Sequence, residues 1–440
     1  DCGDIRFVNS SNDAIPYYIE NSSTLGCNNT NTLIWVQIPL IKANTTTTIH
    51  MYYGNPTATT LSNKIEVFNY TQQTTTAYVV TDGTTTIDIT SFTDNNNIST
   101  DTQNSQLNQQ ETAQLNSTTQ NTPISSTQPY FGSGDASATE ALTPISYAGT
   151  QFVYAVNRYN DIWHVYSPYG NATICVYTGA DGTGWNQIGQ CFTANQSQAA
   201  SFTRNIGGTT GTVDNTTTDT AKINSTLPVL ITHDTSSNTD VFVLYPATTD
   251  LWGIPGTRLQ IGVLEDNTQI EIYWSNGNLQ NFTAHHGQDF YISGLTANGA
   301  GPAAHIRATK PIGAIQEADG DGVEATTFLP EHELDNQYYI PHTASYITVA
   351  ATQPNTQCTL YDQNNQQITT STTTTNQPYP YPNKWYYGTD EGAGIPAGST
   401  LKCNNTVYAY YEMALTGTSD NDDEHNIWGA KANRKHTYPE

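Results

Sequence analysis

Asn267-Thr268-Gln269-Ile270-Glu271-Ile272-Tyr273 decides the reading of this chain. Its end follows the period-two alternation of a half-buried strand, and the leading Asn marks a turn. The phrase recurs as Asn171-Ala172-Thr173-Ile174-Cys175-Val176-Tyr177 and as Asn355-Thr356-Gln357-Cys358-Thr359-Leu360-Tyr361. An apolar strand precedes each copy: Leu259-Gln260-Ile261-Gly262-Val263, Ile162-Trp163-His164-Val165-Tyr166 and Tyr346-Ile347-Thr348-Val349. A second phrase follows: Thr226-Leu227-Pro228-Val229-Leu230-Ile231, Thr309-Lys310-Pro311-Ile312-Gly313-Ala314-Ile315, and Asn405-Thr406-Val407-Tyr408-Ala409-Tyr410. Each unit closes on Asp250-Leu251-Trp252-Gly253-Ile254-Pro255, Asn336-Gln337-Tyr338-Tyr339-Ile340-Pro341 or Asn426-Ile427-Trp428-Gly429. A repeat of roughly 85–95 residues suits a tandem β-sandwich module better than a solenoid turn.

The fold class expected is therefore all-β, with tandem sandwiches of jelly-roll or immunoglobulin-like type. The domains read as an N-terminal sandwich at 1–93, a Thr/Asn/Gln-rich linker or docking segment at 94–139, and sandwich repeats at 140–257, 258–344 and 345–440. Residues 94–128 carry few large apolar side chains and read as a disordered linker, with a short helix over 106–115 and the rest free to lie extended on a sheet or a neighbouring chain. Residues 76–90 read as a hairpin turning at Asp82-Gly83.

Charged residues are only 12% of the 440, and a formal charge of −25 repels nucleic acid and anionic lipid. No apolar run is long enough to span a membrane. The chain opens on Asp1 rather than Met, as a processed chain would. Six cysteines fall as sequence-near pairs, Cys2 with Cys27, Cys175 with Cys191 and Cys358 with Cys403. Fifteen pairings are formally open, and these three are the ones expected. Disulfides imply an oxidising location, at the cell surface or beyond it. Sequons stand at Asn9, Asn21, Asn28, Asn44, Asn69, Asn97, Asn116, Asn171, Asn195, Asn215, Asn224, Asn281 and Asn404. N-linked glycans are expected at a few of them.

Residues 1–70 hold short strands between Asn/Ser/Thr turns, with Trp35, Met51 and Tyr53 as candidates for one inward face. Asp4-Ile5-Arg6-Phe7, Tyr18-Ile19-Glu20, Trp35-Val36 with Ile38-Pro39, and Tyr52-Tyr53-Gly54-Asn55-Pro56 together resemble a domain of unknown function common in prokaryotic surface proteins. The resemblance implies a jelly-roll sandwich, found beside adhesive or glycan-binding modules, and transfers no catalytic residue. That family has a strand or two before the Asp-Ile-Arg-Phe motif, where this chain begins. A sandwich lacking that strand leaves an open edge, to be filled by residues preceding Asp1, by another segment of the chain or by a neighbour's strand. Residues 140–429 are similar, through short apolar phrases, to the N-terminal domain of IgG-Fc-binding protein, which implies an adhesive or structural role.

Glu317, Asp319, Asp321 and Glu324 alternate with glycines in one loop. The loop reads either as a hard-cation site, calcium being the ion to test, or as a solvated acidic loop. Asp420, Asp422, Asp423 and Glu424 form its counterpart in the last repeat. His285-His286 and Glu331-His332-Glu333 lack the helical metalloprotease spacing. No nucleophile elbow, phosphate loop or dinucleotide fingerprint occurs. The function expected is a structural subunit of an extracellular filament or coat, not an enzyme, with no required cofactor and with copies of itself as partners. A monomeric adhesin or glycan-binding ectodomain is the alternative, and a secreted carbohydrate-active enzyme ranks last.

Overall fold

The structure is a computed structural model. It describes residues 2–10, 14–19, 32, 34–36, 38, 47–55, 58–62, 70–72, 76–81, 85–92, 98–107, 112–116, 122–126, 130–135, 140–141, 143–144, 147–155, 161–180, 184–195, 199–204, 220–235, 242–256, 258–293, 295, 299–317, 325–389, 394–414 and 424–426, with the backbone path alone for 70–144. The chain is nearly all β, and it divides into two compact units, Asp1–Tyr70 and Thr71–Glu440.

The first unit holds β1 (Arg6–Asn9), β2 (Ala14–Ile15), β3 (Tyr17–Ile19), β4 (Ile34–Val36) and β5 (Ile49–Tyr52). β1 lies between β2 and β5, and β3 pairs with β4. Phe7, Ile15, Tyr17 and Ile19 form a small buried core.

The second unit repeats one topology. Repeat two shows it most plainly: β23 (Thr248–Gly253), β24 (Arg258–Val263), β25 (Thr268–Trp274), β26 (Leu279–Ala284), β27 (Asp289–Ser293), β28 (Ala304–Glu317) and β29 (Ala325–Thr327). β28 is the spine. Its first half, Ala304–Ala308, pairs with β23 and β25, and its second half, Ile312–Glu317, pairs with β24 and β29. One long strand thus passes from one four-stranded layer to the other.

Repeat one matches it with β15 (Gly149–Ala155), β16 (Asp161–Tyr166), β17 (Ala172–Ala180), β18 (Gly184–Gln187), β19 (Phe192–Ala194), β20 (Ala199–Arg204), spine β21 (Thr220–Thr235) and β22 (Phe242–Leu244). Repeat three matches it with β30 (Asp335–Ile340), β31 (Ala344–Ala351), β32 (Gln357–Tyr361), β33 (Gln367–Thr372), β34 (Asn383–Gly388), spine β35 (Ser399–Met413) and β36 (Glu424–Asn426).

Thr226-Leu227-Pro228 and Thr309-Lys310-Pro311 mark the bend in the spines of repeats one and two, and Asn404-Asn405-Thr406 marks it in repeat three. In each repeat the leading strand slips register there, with its partner jumping from Asn224 to Val229, Arg307 to Ile312 or Lys402 to Val407. Pro228 and Pro311 stand in that gap, where a residue without an N–H leaves no donor unpaired. The first bend residue does a second job. Thr226 Oγ1, Thr309 Oγ1 and Asn404 Oδ1 each accept a backbone N–H, from Thr173, Gln269 and Gln357, all at 2.9 Å. The Asn turns use left-handed backbone, with φ 55° at both Asn267 and Asn355. Thr309→Val removes the acceptor while keeping the shape. It is expected to cost about 0.5–1.5 kcal/mol in urea unfolding, the net worth of one such bond.

A fourth copy precedes these three. β6 (Tyr70–Gln72), β7 (Thr76–Thr81), β8 (Thr85–Phe92), β9 (Ile98–Leu107), β10 (Thr112–Asn116), β11 (Thr122–Ser126), β12 (Tyr130–Asp135), β13 (Glu140–Ala141) and β14 (Thr143–Pro144) form two sheets, β14-β6-β11-β8-β9 and β10-β7-β12-β13. β11 and β12 are its spine in two pieces, separated by Thr127-Gln128-Pro129. The disorder read over 94–128 and the helix read over 106–115 are corrected: the described residues of this stretch are strands, because Thr, Ser and Asn keep a sheet face soluble once partner strands supply the hydrogen bonds. The Asp82-Gly83 hairpin is corrected too. β7 and β8 lie in different sheets and do not pair with each other, and Asp82 and Gly83 lie outside the described residues. The closing phrases over 250–255 and 336–341 pair forward, with β28 and β35, and so open the next repeat.

The last strands meet. β22 contacts β29, β29 contacts β36, β36 contacts β13, and β13 contacts β22, which closes a circuit of the four modules. A buried cluster including Tyr166, Leu230, Trp252, Leu329, Tyr346, Tyr408 and Tyr410 draws on all three repeats.

Candidate functional site

Most of the polar clusters in the second unit are committed to holding modules together. His305 is fully buried and lies flat on Trp252, with ring centroids 3.9 Å apart. Its Nε2 lies 2.9 Å from Asp250 Oδ2 and its Nδ1 lies 2.8 Å from the Pro380 carbonyl oxygen of repeat three. Arg307 donates to the Tyr379 hydroxyl at 2.6 Å, which donates to Glu331 at 3.0 Å. Burial works to raise the Asp250 carboxyl, but the His305 hydrogen bond and charge, the Glu331 backbone and Arg307 together hold it below its ordinary value of 3.8. A depressed carboxyl stabilises the fold above its unfolded pKa, and that contribution disappears as pH falls through the folded value. Asp250→Asn is therefore expected to flatten the acid limb of stability below about pH 4, read as melting temperature against pH.

His286 is similarly occupied. Its Nδ1 faces Asp266 Oδ1 at 2.5 Å and its Nε2 accepts the Gly184 N–H of repeat one at 2.7 Å. Glu333 faces Tyr245 and Tyr147, whose phenols are pushed up by burial first and by this carboxylate second. Glu317 ends β28, while Asp319, Asp321 and Glu324 lie outside the described residues, as do Asp420, Asp422 and Asp423. Among the described residues no group of three His, Cys, Asp or Glu side chains is placed to hold a metal.

Cys175 and Cys191 are bonded, as are Cys358 and Cys403. The second bridge joins directly opposed residues of β32 and β35. Cys2 is also disulfide-bonded, and its expected partner Cys27 lies outside the described residues. Among the sequons, Asn171, Asn195, Asn281 and Asn404 are exposed, and Asn9 and Asn224 are half-buried. Asn21, Asn28, Asn44, Asn69, Asn97, Asn116 and Asn215 lie outside the described side chains.

The surface left uncommitted is on the first unit. Met51, Tyr52, Tyr53 and Leu61 are 50%, 54%, 75% and 55% exposed. The inward reading of Met51 and Tyr53 is thus corrected, and the Trp35 side chain lies outside those described. Met51 stands opposite buried Phe7, yet no described element covers it. The motif residues build this surface. Asp4 accepts the N–H groups of Gly54 and Asn55, and the Gly54 bond above all holds its carboxyl below the ordinary value. Arg6 donates to the Gly3 and Ile5 carbonyls and, at 2.6 Å, to the Thr59 carbonyl. Tyr17 accepts the Leu61 N–H at 3.3 Å. Polar groups thus fix a segment whose large apolar side chains face solvent. β5 pairs with β1 along one side, and among the described residues its other side pairs with no strand.

Residues 1–85 match the model of a family described as a domain of unknown function, DUF2341. That match covers the resemblance seen in the first 70 residues, and the likeness of 140–429 to IgG-Fc-binding protein finds no support. No curated protein matches the chain. No helix is long and apolar enough to cross a membrane, among the described residues.

Proposed function

We propose that this chain is a structural subunit of an extracellular assembly, whose N-terminal unit joins a neighbouring copy through β5. The observation that carries the reading is the concentration of exposed Met51, Tyr52, Tyr53 and Leu61 beside an edge of β5 that pairs with no strand among the described residues. Full burial of one such side chain is worth about 1.5–3 kcal/mol, so covering four half-exposed ones supplies on the order of 3–6 kcal/mol. Association costs about 4–15 kcal/mol in lost freedom, so apolar cover alone does not hold a complex. Strand addition on the open side of β5 supplies the missing backbone hydrogen bonds. Head-to-tail use of such an edge gives a filament rather than a closed dimer. The modules of the second unit act as a rigid body carried by that joint. Its disulfides support an extracellular setting.

The test compares wild type with a Met51→Asp, Tyr53→Asp double variant by sedimentation and negative-stain microscopy. The wild type is expected as polymer and the variant as monomer with an unchanged melting temperature. A wild type that stays monomeric at high concentration contradicts the proposal.

A further inference from the structure

We propose that Asn281 carries an N-linked glycan that shields the outer edge of repeat two, a role independent of the β5 joint. Among the described residues β26 is the outermost strand of its layer, so one row of its backbone groups faces away from β25. Its exposure pattern turns Leu279, Asn281 and Thr283 outward, while Phe282 packs on the core. Asn281-Phe282-Thr283 is a sequon lying on that outward face.

Asn281 is set apart from the other described sequons by what its side chain does. Asn224 and Asn404 spend their amide oxygens on Gln151 and on the Gln357 N–H. Asn9, Asn171 and Asn195 also have interactions within the chain. Asn281 is exposed, and its amide makes no hydrogen bond among the described residues. The strand around it also differs from its counterpart. β33, the equivalent edge of repeat three, reads Gln-Ile-Thr-Thr-Ser-Thr and exposes polar residues, with Ile368 partly buried against the core. β26 instead exposes Leu279, 43% accessible, next to half-buried Tyr273 across the strand pair. An edge strand with an exposed large apolar residue invites edge-to-edge pairing unless something blocks it. A sugar on Asn281 stands two residues from Leu279 on the same face, where its apolar side can cover Leu279 and Tyr273.

The modification is a glycosyl transfer from a polyprenyl-phosphate-linked oligosaccharide. Asn281 Nδ2 bonds to the anomeric carbon, the carbon–oxygen bond to phosphate breaks, and its electron pair leaves on the phosphate oxygen. The amide gives up one proton to a base of the transferase. No oxidant or reductant enters.

Mass spectrometry of the peptide spanning Asn281, from protein purified out of its own cells, tests the first half. A hexose or N-acetylhexosamine mass increment on most copies is expected, lost in Asn281→Gln and Thr283→Ala. A bare Asn281 in the native protein overturns the proposal. Light scattering tests the second half, with Met51→Asp and Tyr53→Asp added to silence the β5 joint. Asn281→Gln is expected to aggregate about tenfold faster in that background, and an unchanged rate overturns the shielding role.

Discussion

Gly313→Val is expected to separate repeats one and two. A Cβ at Gly313 would sit 1.9 Å from the Val153 carbonyl oxygen. Gly313 lies in the second half of spine β28, and Val153 lies in β15, the leading strand of repeat one. The obstacle is backbone, itself held by the β15–β21 ladder, so no rotamer change relieves it. Overpacking usually costs about 1–3 kcal/mol when side chains can give way, and here they cannot, so a loss of roughly 3 kcal/mol or more is expected. A fall in melting temperature of roughly 5–10 °C, with repeat one becoming sensitive to protease, checks it.

Trp252→Ala should have an effect of similar size. Trp252 is fully buried in the cluster shared by the repeats, stacked on His305, and its backbone pairs with Leu329. Truncating a buried Trp costs about 3–5 kcal/mol, and here the loss also frees His305 from its flat support. Equilibrium urea unfolding measures it. Tyr53→Ala is the contrast: at 75% exposure it should change stability by less than about 0.5 kcal/mol while weakening assembly.

The repeats were legible because Ile270, Ile272 and Trp274, and their counterparts, alternate cleanly with polar residues on half-buried strands. The leading module was not, because β9 reads Ile-Ser-Thr-Asp-Thr-Gln-Asn-Ser-Gln-Leu, which offers little apolar period to find. Thr127-Gln128-Pro129 was the signal there, since it matches the spine bends at Thr226-Leu227-Pro228 and Thr309-Lys310-Pro311. The aromatic edge was misread for a different reason. Alternation assigns Met51 and Tyr53 to one face, but whether a face is buried depends on a second layer that local sequence does not encode. The contacts of His305 with Asp250 and Pro380 and of His286 with Gly184 join residues 55 or more apart in sequence, beyond any local motif.

Amide hydrogen exchange across residues 49–55, compared between assembled and dissociated protein, tests the central claim most directly. Slow exchange there in the assembly, with repeats one to three unchanged, is the result predicted. Equal exchange at β5 in both states, with new protection confined to the repeats, would contradict it.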